Sequence, residues 1–233
     1  VGNTCYDTIF VGSGMFTVLH NNPTLQITGD HMRDYILNNI NYIPPQLVKN
    51  NKHKILILMK SFDGCNNPEN HIMNSRNIVD NLRKKFENIA DIDTMIPDSF
   101  TWKEQIDKMQ NATVIISGSG GGSFGMFFGR PGTSLIFLDR FYRQGSYRHI
   151  SGVEGMEDAF WSRLKSFTRY NYPMCHQSEQ AGPEGLDILV VIPRIIHFTI
   201  LGMLAAEDRH EHLNHEKELK DMIKISNGGL GVK

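Results

Sequence analysis

A glycine- and serine-rich segment, residues 117–123, is the part of the sequence best suited to bind an anion. It follows the apolar run 113–116 and precedes the apolar segment 124–128, which predicts a strand, a glycine-rich turn and a helix in that order. Such a turn leaves backbone N–H groups free at the start of the helix, where the helix dipole adds positive potential. We therefore expect a phosphate or diphosphate site, with an empty surface loop as the alternative. The residues expected to take part are Ser117, Ser119, Gly120, Gly121, Gly122 and Ser123.

Charged residues at the ends of two other predicted strands extend this site. Lys60 ends the apolar run 55–59, and its ammonium group could neutralise a diphosphate leaving group. Asp139 ends the strand predicted at 134–139 and is a candidate acceptor for ribose hydroxyls. In an open α/β sheet, ligands bind outside the carboxyl ends of the strands, so both residues are expected beside the glycine loop. The alternatives are a solvated lysine and an aspartate that caps a turn.

Other nucleotide and metal motifs are less well matched. No Gly-Lys-Ser/Thr follows the glycine run, which excludes a Walker P-loop. The segment 12–14 (Gly-Ser-Gly) lacks the third glycine of a dinucleotide fingerprint, and we interpret it as a turn; a methyltransferase that uses this segment to bind S-adenosylmethionine is the alternative enzyme. Without a His-Glu-x-x-His motif or a triple Asp-x-Asp pattern we expect no bound metal, and we expect His210, His212 and His215 on a solvated helical face.

Charge and hydropathy exclude two further classes of protein. The 24 Lys and Arg residues balance 25 Asp and Glu residues, for a formal charge of −1, so no basic excess is present to hold nucleic acid. The most apolar stretch, 186–204, contains Asp187, Pro193, Arg194 and His197. A membrane span needs about 20 largely uncharged residues, so we expect no span in this chain and a buried helix or strand–helix pair instead.

The elements that must position these residues alternate along the chain. Apolar and β-rich runs predict strands at 6–11, 55–59, 92–96, 113–116 and 134–139, and apolar spacing predicts helices at 30–40, 74–89 and 98–109. A short apolar helix is expected at 124–128 and a charged helix at 207–224. Strands that alternate with helices form βαβ units. The sequence therefore predicts an α/β, Rossmann-like fold with a mostly parallel sheet and helices on both faces.

The order of these segments resembles glycosyltransferase family 61. The matching segments are 5–12, 55–60, Asn74, 100–106, 111–123 and 127–133. In that family a strand ends in a basic residue, an Asn opens the next helix, and a Phe-x-Glu-Gln helix precedes an Ala-Asp-Val strand. A His-Gly-Ala-Gly-like loop and a Pro-Gly-Ser turn follow. The resemblance covers roughly residues 5–140.

The resemblance implies the donor-binding half of a GT-B enzyme. Such an enzyme transfers a hexose or pentose, with inversion and without a metal, from a nucleotide sugar (UDP favoured, GDP the second candidate) to a glycan or glycoprotein. Lys60 stands where the family usually has Arg, Asn74 matches the helix-opening Asn, and residues 117–123 replace the His-containing loop. Lysine lacks the bidentate phosphate geometry of arginine. These departures permit another sugar, and the alternative class is a non-catalytic nucleotide- or carbohydrate-binding module.

The resemblance also divides the chain. Residues 51–206 are expected to form the nucleotide-sugar-binding domain, 1–50 a remnant of or link to an acceptor domain, and 207–233 a charged helix and tail. Because the chain starts at Val1 and not at Met, we expect a fragment or a processed start. The expected compartment is the lumen of the Golgi or endoplasmic reticulum for a cellular eukaryotic enzyme and the cytoplasm for a viral one.

An inverting transfer also needs a base that deprotonates the acceptor hydroxyl. Asp63, His31 and Asp30 are the candidates, on their position in the chain alone.

Overall fold

The computed structural model describes residues 29–44, 52–60, 72–118, 121–138, 166–172, 180–181 and 187–207. Some of the predictions lie outside these ranges: the strand at 6–11, the turn at 12–14, the helix beyond residue 207, and the site residues Asp63, Ser119, Gly120 and Asp139. The division into parts at residues 50 and 206 stays a prediction.

A five-stranded parallel sheet forms the centre of the described part. Its strands are β1 (His53–Leu58), β2 (Ala90–Met95), β3 (Val114–Gly118), β4 (Ser134–Leu138) and β5 (Thr168–Tyr172). They are arranged in the order β2-β1-β3-β4-β5, and each neighbouring pair is parallel. The last four residues of β1 and all of β4 are buried, as continuous apolar runs in a doubly covered sheet require.

In the described ranges, four α-helices and a 3-10 helix of eight residues surround the sheet. They are α1 (Gly29–Asn39), α2 (Ser75–Phe86), α3 (Trp102–Asn111), the 3-10 helix Gly121–Phe128 and α4 (Ile192–Glu207). The prediction that α3 begins at residue 98 or 99 is wrong. Thr101 and Glu104 form a capping box in which each side chain bonds the other's backbone N–H, and this fixes the start of α3 at Trp102.

The helices pack on both faces of the sheet, because successive strand residues point to opposite sides. On one face Ile57 and Ile116 pack with Leu82 of α2 and Phe198 of α4. On the other, Leu56, Leu58 and Ile115 pack with Met109 of α3 and with Met126 and Phe127 of the 3-10 helix, and Met32 and Ile36 of α1 pack against this cluster. The predicted α/β, Rossmann-like fold is confirmed.

The last described segment crosses the face of the sheet on which α2 packs. A short hairpin of β6 (Gln180–Ala181) and β7 (Asp187–Ile188) leads into α4, which confirms the predicted strand–helix pair. Nε2 of His53, the first residue of β1, lies 2.8 Å from Oε1 of Glu207. Therefore α4 begins beside the carboxyl ends of the strands, which we call the carboxyl edge of the sheet, and ends beside their amino ends, the amino edge. Among the described helices, none has the length and apolar character needed to cross a membrane.

Candidate functional site

The strand order reverses between β1 and β3, whose carboxyl ends lie side by side. From β1 the chain crosses to β2 on one side, and from β3 it continues to β4 and β5 on the other. Ile57 of β1 is opposite Ile116 of β3. In open α/β sheets ligands bind at such a reversal, because connections that leave in opposite directions open a crevice there.

Lys60 and the glycine loop both follow strands that end at this crevice. Lys60 lies two residues beyond the end of β1 and is half-buried. Ser117 and Gly118 are the last residues of β3, and the register of the two strands, continued past Ile116, sets Lys60 just beyond Gly118. The Ser117 side chain is buried, and its hydroxyl donates to the carbonyl of Gly118 at 2.9 Å. Lys60 and the described start of the loop therefore share one edge of the sheet.

The far side of the glycine loop is the 3-10 helix, which contacts α3 closely. Gly121 and Gly122 begin this helix, and the side chain of Ser123 is buried. A Cβ at Gly125 would lie 3.0 Å from Cε of Met109, so glycine permits the close approach to α3. Nε2 of Gln110 donates to the carbonyl of Phe128 at 2.6 Å and fixes the end of the helix. The predicted helix at 124–128 is thus part of a longer 3-10 helix that anchors the loop.

Asn74 immediately precedes α2, but its amide binds Val190 and does not cap the helix. Its Nδ2 donates to the carbonyl of Val190 at 2.7 Å, and its Oδ1 accepts from the amide N–H of Val190 at 3.0 Å. The start of α2 is thereby tied to the segment that leads into α4. An asparagine amide has two N–H donors and two acceptor positions, and these two bonds use one of each. The predicted contact of Asn74 with a ligand therefore stays a prediction.

Asp30 and His31 lie at the opposite edge of the sheet. The carboxylate of Asp30 accepts from Nη1 of Arg33 at 3.1 Å and from the hydroxyl of Ser166, which precedes β5. His31 follows in the first turn of α1 and is exposed. A strand of this length spans roughly 16 Å. The structure therefore does not bring these two candidate bases to the edge where Lys60 lies.

Two residues that sequence reasoning did not select lie at the carboxyl edge. Tyr172, the last residue of β5, is fully buried. Arg194 lies in the first turn of α4, with its guanidinium carbon 5.1 Å from the centroid of the Tyr172 ring and its Nη1 3.4 Å from the Tyr172 hydroxyl. The alternating polar and aromatic residues of 169–172 were the available signal for β5.

The titratable groups with shifted pKa values lie elsewhere in the described part. Burial and a hydrogen bond to Asp107 raise the pKa of Tyr42. Burial acts to raise the pKa of Asp107, but hydrogen bonds from Lys103 and Tyr42 hold it below its usual value. Burial lowers the pKa of Arg130. Within the described ranges, no three His, Cys, Asp or Glu side chains are grouped so that they could hold a metal ion.

A protein-family model matches the part of the chain that contains Lys60 and the glycine loop. The Glycosyltransferase 61 family model matches residues 17–136, just over half of the 233-residue chain. The chain belongs to this family, so the resemblance stated from the sequence is confirmed, and the family points to a glycosyltransferase. The match includes Lys60, Asn74 and the glycine loop and ends within β4. No curated protein matches the chain.

Proposed function

We propose that this protein is an inverting, metal-independent glycosyltransferase that moves a hexose or pentose from a nucleotide sugar to a glycan or glycoprotein. UDP is the favoured nucleotide and GDP the second candidate. The observation that carries the proposal is the side-by-side position of Lys60 and the glycine loop at the reversal of strand order. A cation and a turn rich in backbone N–H donors are the groups that a nucleoside diphosphate requires.

The glycine loop is proposed to hold the diphosphate through its backbone. Gly121 and Gly122 have no side chain to obstruct a phosphate that approaches the start of the 3-10 helix. Because Ser117 and Ser123 are buried, we assign their hydroxyls to stabilising the loop, and Ser119, with the N–H groups of Gly120 to Gly122, to contacting the ligand. Asp139 remains our proposed partner of the ribose hydroxyls.

The transfer itself is a displacement at the anomeric carbon of the donor sugar. The acceptor oxygen attacks from the face opposite the nucleotide, the bond from that carbon to the β-phosphate oxygen breaks, and the nucleoside diphosphate leaves with the electron pair. A base takes the proton of the acceptor hydroxyl. Lys60 would stabilise the negative charge on the departing diphosphate, a role that a divalent cation has in other enzymes.

Asp63 is the proposed base, because it follows Lys60 by three residues in the chain and so belongs to the connection that leaves the carboxyl edge. His31 and Asp30 are not proposed again in this role, since Asp30 contacts Ser166 at the amino edge. We retain the Golgi or endoplasmic reticulum lumen as the compartment of a cellular eukaryotic enzyme and the cytoplasm as that of a viral one.

A thermal-shift panel tests this proposal. The chain is heated with UDP, GDP, CDP, several nucleotide sugars, S-adenosylmethionine and NAD, each with Mg²⁺ and with EDTA. A ligand of the native state at a hundredfold excess over its Kd adds about 2.7 kcal/mol of stability. We expect a shift with UDP or GDP that survives EDTA. The absence of a shift with both UDP and GDP would overturn the proposal. A shift with S-adenosylmethionine alone would overturn it and favour the methyltransferase.

A further inference from the structure

Arg194 and Tyr172 form an ordered pair at the edge of the sheet that carries Lys60. Nη1 of Arg194 donates to the Tyr172 hydroxyl, and the guanidinium rests on the Tyr172 ring. The same hydroxyl accepts the backbone N–H of Val191 at 2.9 Å. A hydroxyl oxygen has two acceptor positions, so Tyr172 engages both in holding the start of α4.

Tyr172 and the glycine loop lie at the same level of the sheet. Gly118 of β3 is opposite Leu138 of β4, and Leu138 is opposite Tyr172 of β5. Two strand spacings separate Gly118 from Tyr172, which is roughly 10 Å. A diphosphate bound at the loop and a long arginine side chain can span this distance together.

The start of α4 is also fixed from the other side of the crevice. Asn74, in the connection from β1 to α2, binds both backbone groups of Val190. Val190 and Val191 are thus held between Asn74 and Tyr172, and α4 begins at the next residue. We call the four residues Asn74, Val190, Val191 and Tyr172 the brace. The brace sets where the first turn of α4, and with it Arg194, lies along the carboxyl edge.

We propose that Arg194 binds the diphosphate of the donor, with Asn74 and Tyr172 as its positioning residues. This inference rests on the proposed function and adds a residue outside the family match, which ends at residue 136. An arginine offers phosphate two parallel N–H donors, whereas the lysine at position 60 acts as a point charge. Arg194 therefore supplies the fork-shaped contact, and Lys60 supplies a point charge beside the glycine loop.

Isothermal titration of the full chain tests the proposal, with UDP, GDP and uridine as probes. For the nucleoside diphosphate that binds, Arg194→Gln is expected to raise the Kd about tenfold or more, since hydrogen bonds to charged groups are the strong ones. Arg194→Lys should recover part of the loss. Arg76→Gln, which removes an exposed arginine from the first turn of α2, is the matched control and should stay within twofold of wild type.

Two further readouts separate a ligand contact from a structural role. Uridine affinity should be the same in Arg194→Gln and wild type, because uridine has no diphosphate for Arg194 to bind. Tyr172→Phe should lower the affinity for the nucleoside diphosphate. The Arg194→Gln/Tyr172→Phe double variant should bind it no more weakly than Arg194→Gln alone, because both changes act on one contact.

The outcomes distinguish this inference from the proposed function. If Lys60→Ala lowers the affinity for the nucleoside diphosphate and Arg194→Gln does not, the inference is overturned and the proposed function stands. If wild type binds neither UDP nor GDP, both are overturned.

Discussion

Asn74 binds Val190, 116 residues away in the chain, through both polar atoms of its side chain. An asparagine at the start of a helix commonly caps that helix, yet here the amide leaves α2 uncapped and joins two connections at the carboxyl edge of the sheet. The residue that matches the family's helix-opening Asn is thus also an architectural residue, because it holds the entrance to α4.

Replacement of Asn74 should therefore cost stability. Asn74→Ala removes two part-buried hydrogen bonds to Val190 and is expected to lower the free energy of unfolding by about 2 kcal/mol. Urea unfolding measures the change. Asn77→Ala, on an exposed site of the same helix, is the control and should change stability far less. Unchanged stability in Asn74→Ala would contradict the assignment.

Gly202 should not tolerate a side chain, because α4 lies against the sheet at this point. A Cβ there would lie 3.1 and 3.2 Å from the two methyl groups of Val114, and the carbonyl of Gly202 accepts from the hydroxyl of Ser134 at 2.8 Å. Gly202→Val is expected to destabilise the protein by about 1–3 kcal/mol through overpacking. The exposed Ala206→Val, in the same helix, should cost under about 1 kcal/mol. Equal losses in urea unfolding would refute the steric account.

Tyr42 should make stability depend on alkaline pH. Its hydroxyl donates to Asp107 at 2.7 Å, and the pKa of Tyr42 is raised above its ordinary value in the folded state. A raised pKa means that the contribution is complete below the unfolded pKa, about 10, and is lost as pH rises towards the folded value. Urea unfolding at pH 8 should show wild type about 1 kcal/mol more stable than Tyr42→Phe.

The difference between wild type and Tyr42→Phe should narrow between about pH 10 and about pH 11.5, a range chosen to start near the ordinary pKa of tyrosine. A constant difference in stability across this range would show that the pKa of Tyr42 is the same in the folded and unfolded states. That result would contradict the effect assigned to the hydrogen bond with Asp107.

The elements with the clearest sequence signals were those buried on two sides. The runs 55–58 and 135–138 are apolar throughout because helices cover both faces of the sheet there. β5 was missed because its alternation of polar and aromatic side chains covers only residues 169–172 and lies far from the earlier βα units. The start of α3 was placed too early, because Asp98 and Ser99 are good caps by type while Thr101 makes the actual capping box.

Trp102 shows a limit of apolar periodicity. It shares its helical spacing with the buried residues Ile106 and Met109, but it is 67% exposed and contacts Phe128 edge-on at 5.9 Å between ring centroids. Spacing specifies the face of a helix that a residue occupies, not how far the neighbouring elements extend beneath it. The first turn of α3 is therefore less covered than the sequence pattern suggested.

The candidate site was predictable in part, for the same kind of reason. Lys60 and the glycine loop could be placed together because each follows a strand, and parallel strands share a carboxyl edge. The contacts of Asn74 with Val190 and of Tyr172 with Arg194 depend on how α4 returns across the sheet, which no local pattern encodes.

The most direct test of the central claim is the rate at which Lys60 variants release nucleoside diphosphate from the donor that wild type uses. We predict that Lys60→Ala lowers kcat at least a hundredfold, which corresponds to a loss of about 2.7 kcal/mol of transition-state stabilisation. Lys60→Arg should keep most of the wild-type kcat. Lys54→Ala, which removes an exposed lysine from the same strand, should keep wild-type turnover. Wild-type turnover in Lys60→Ala would contradict the account, since the charge on the departing diphosphate would then be stabilised by other groups.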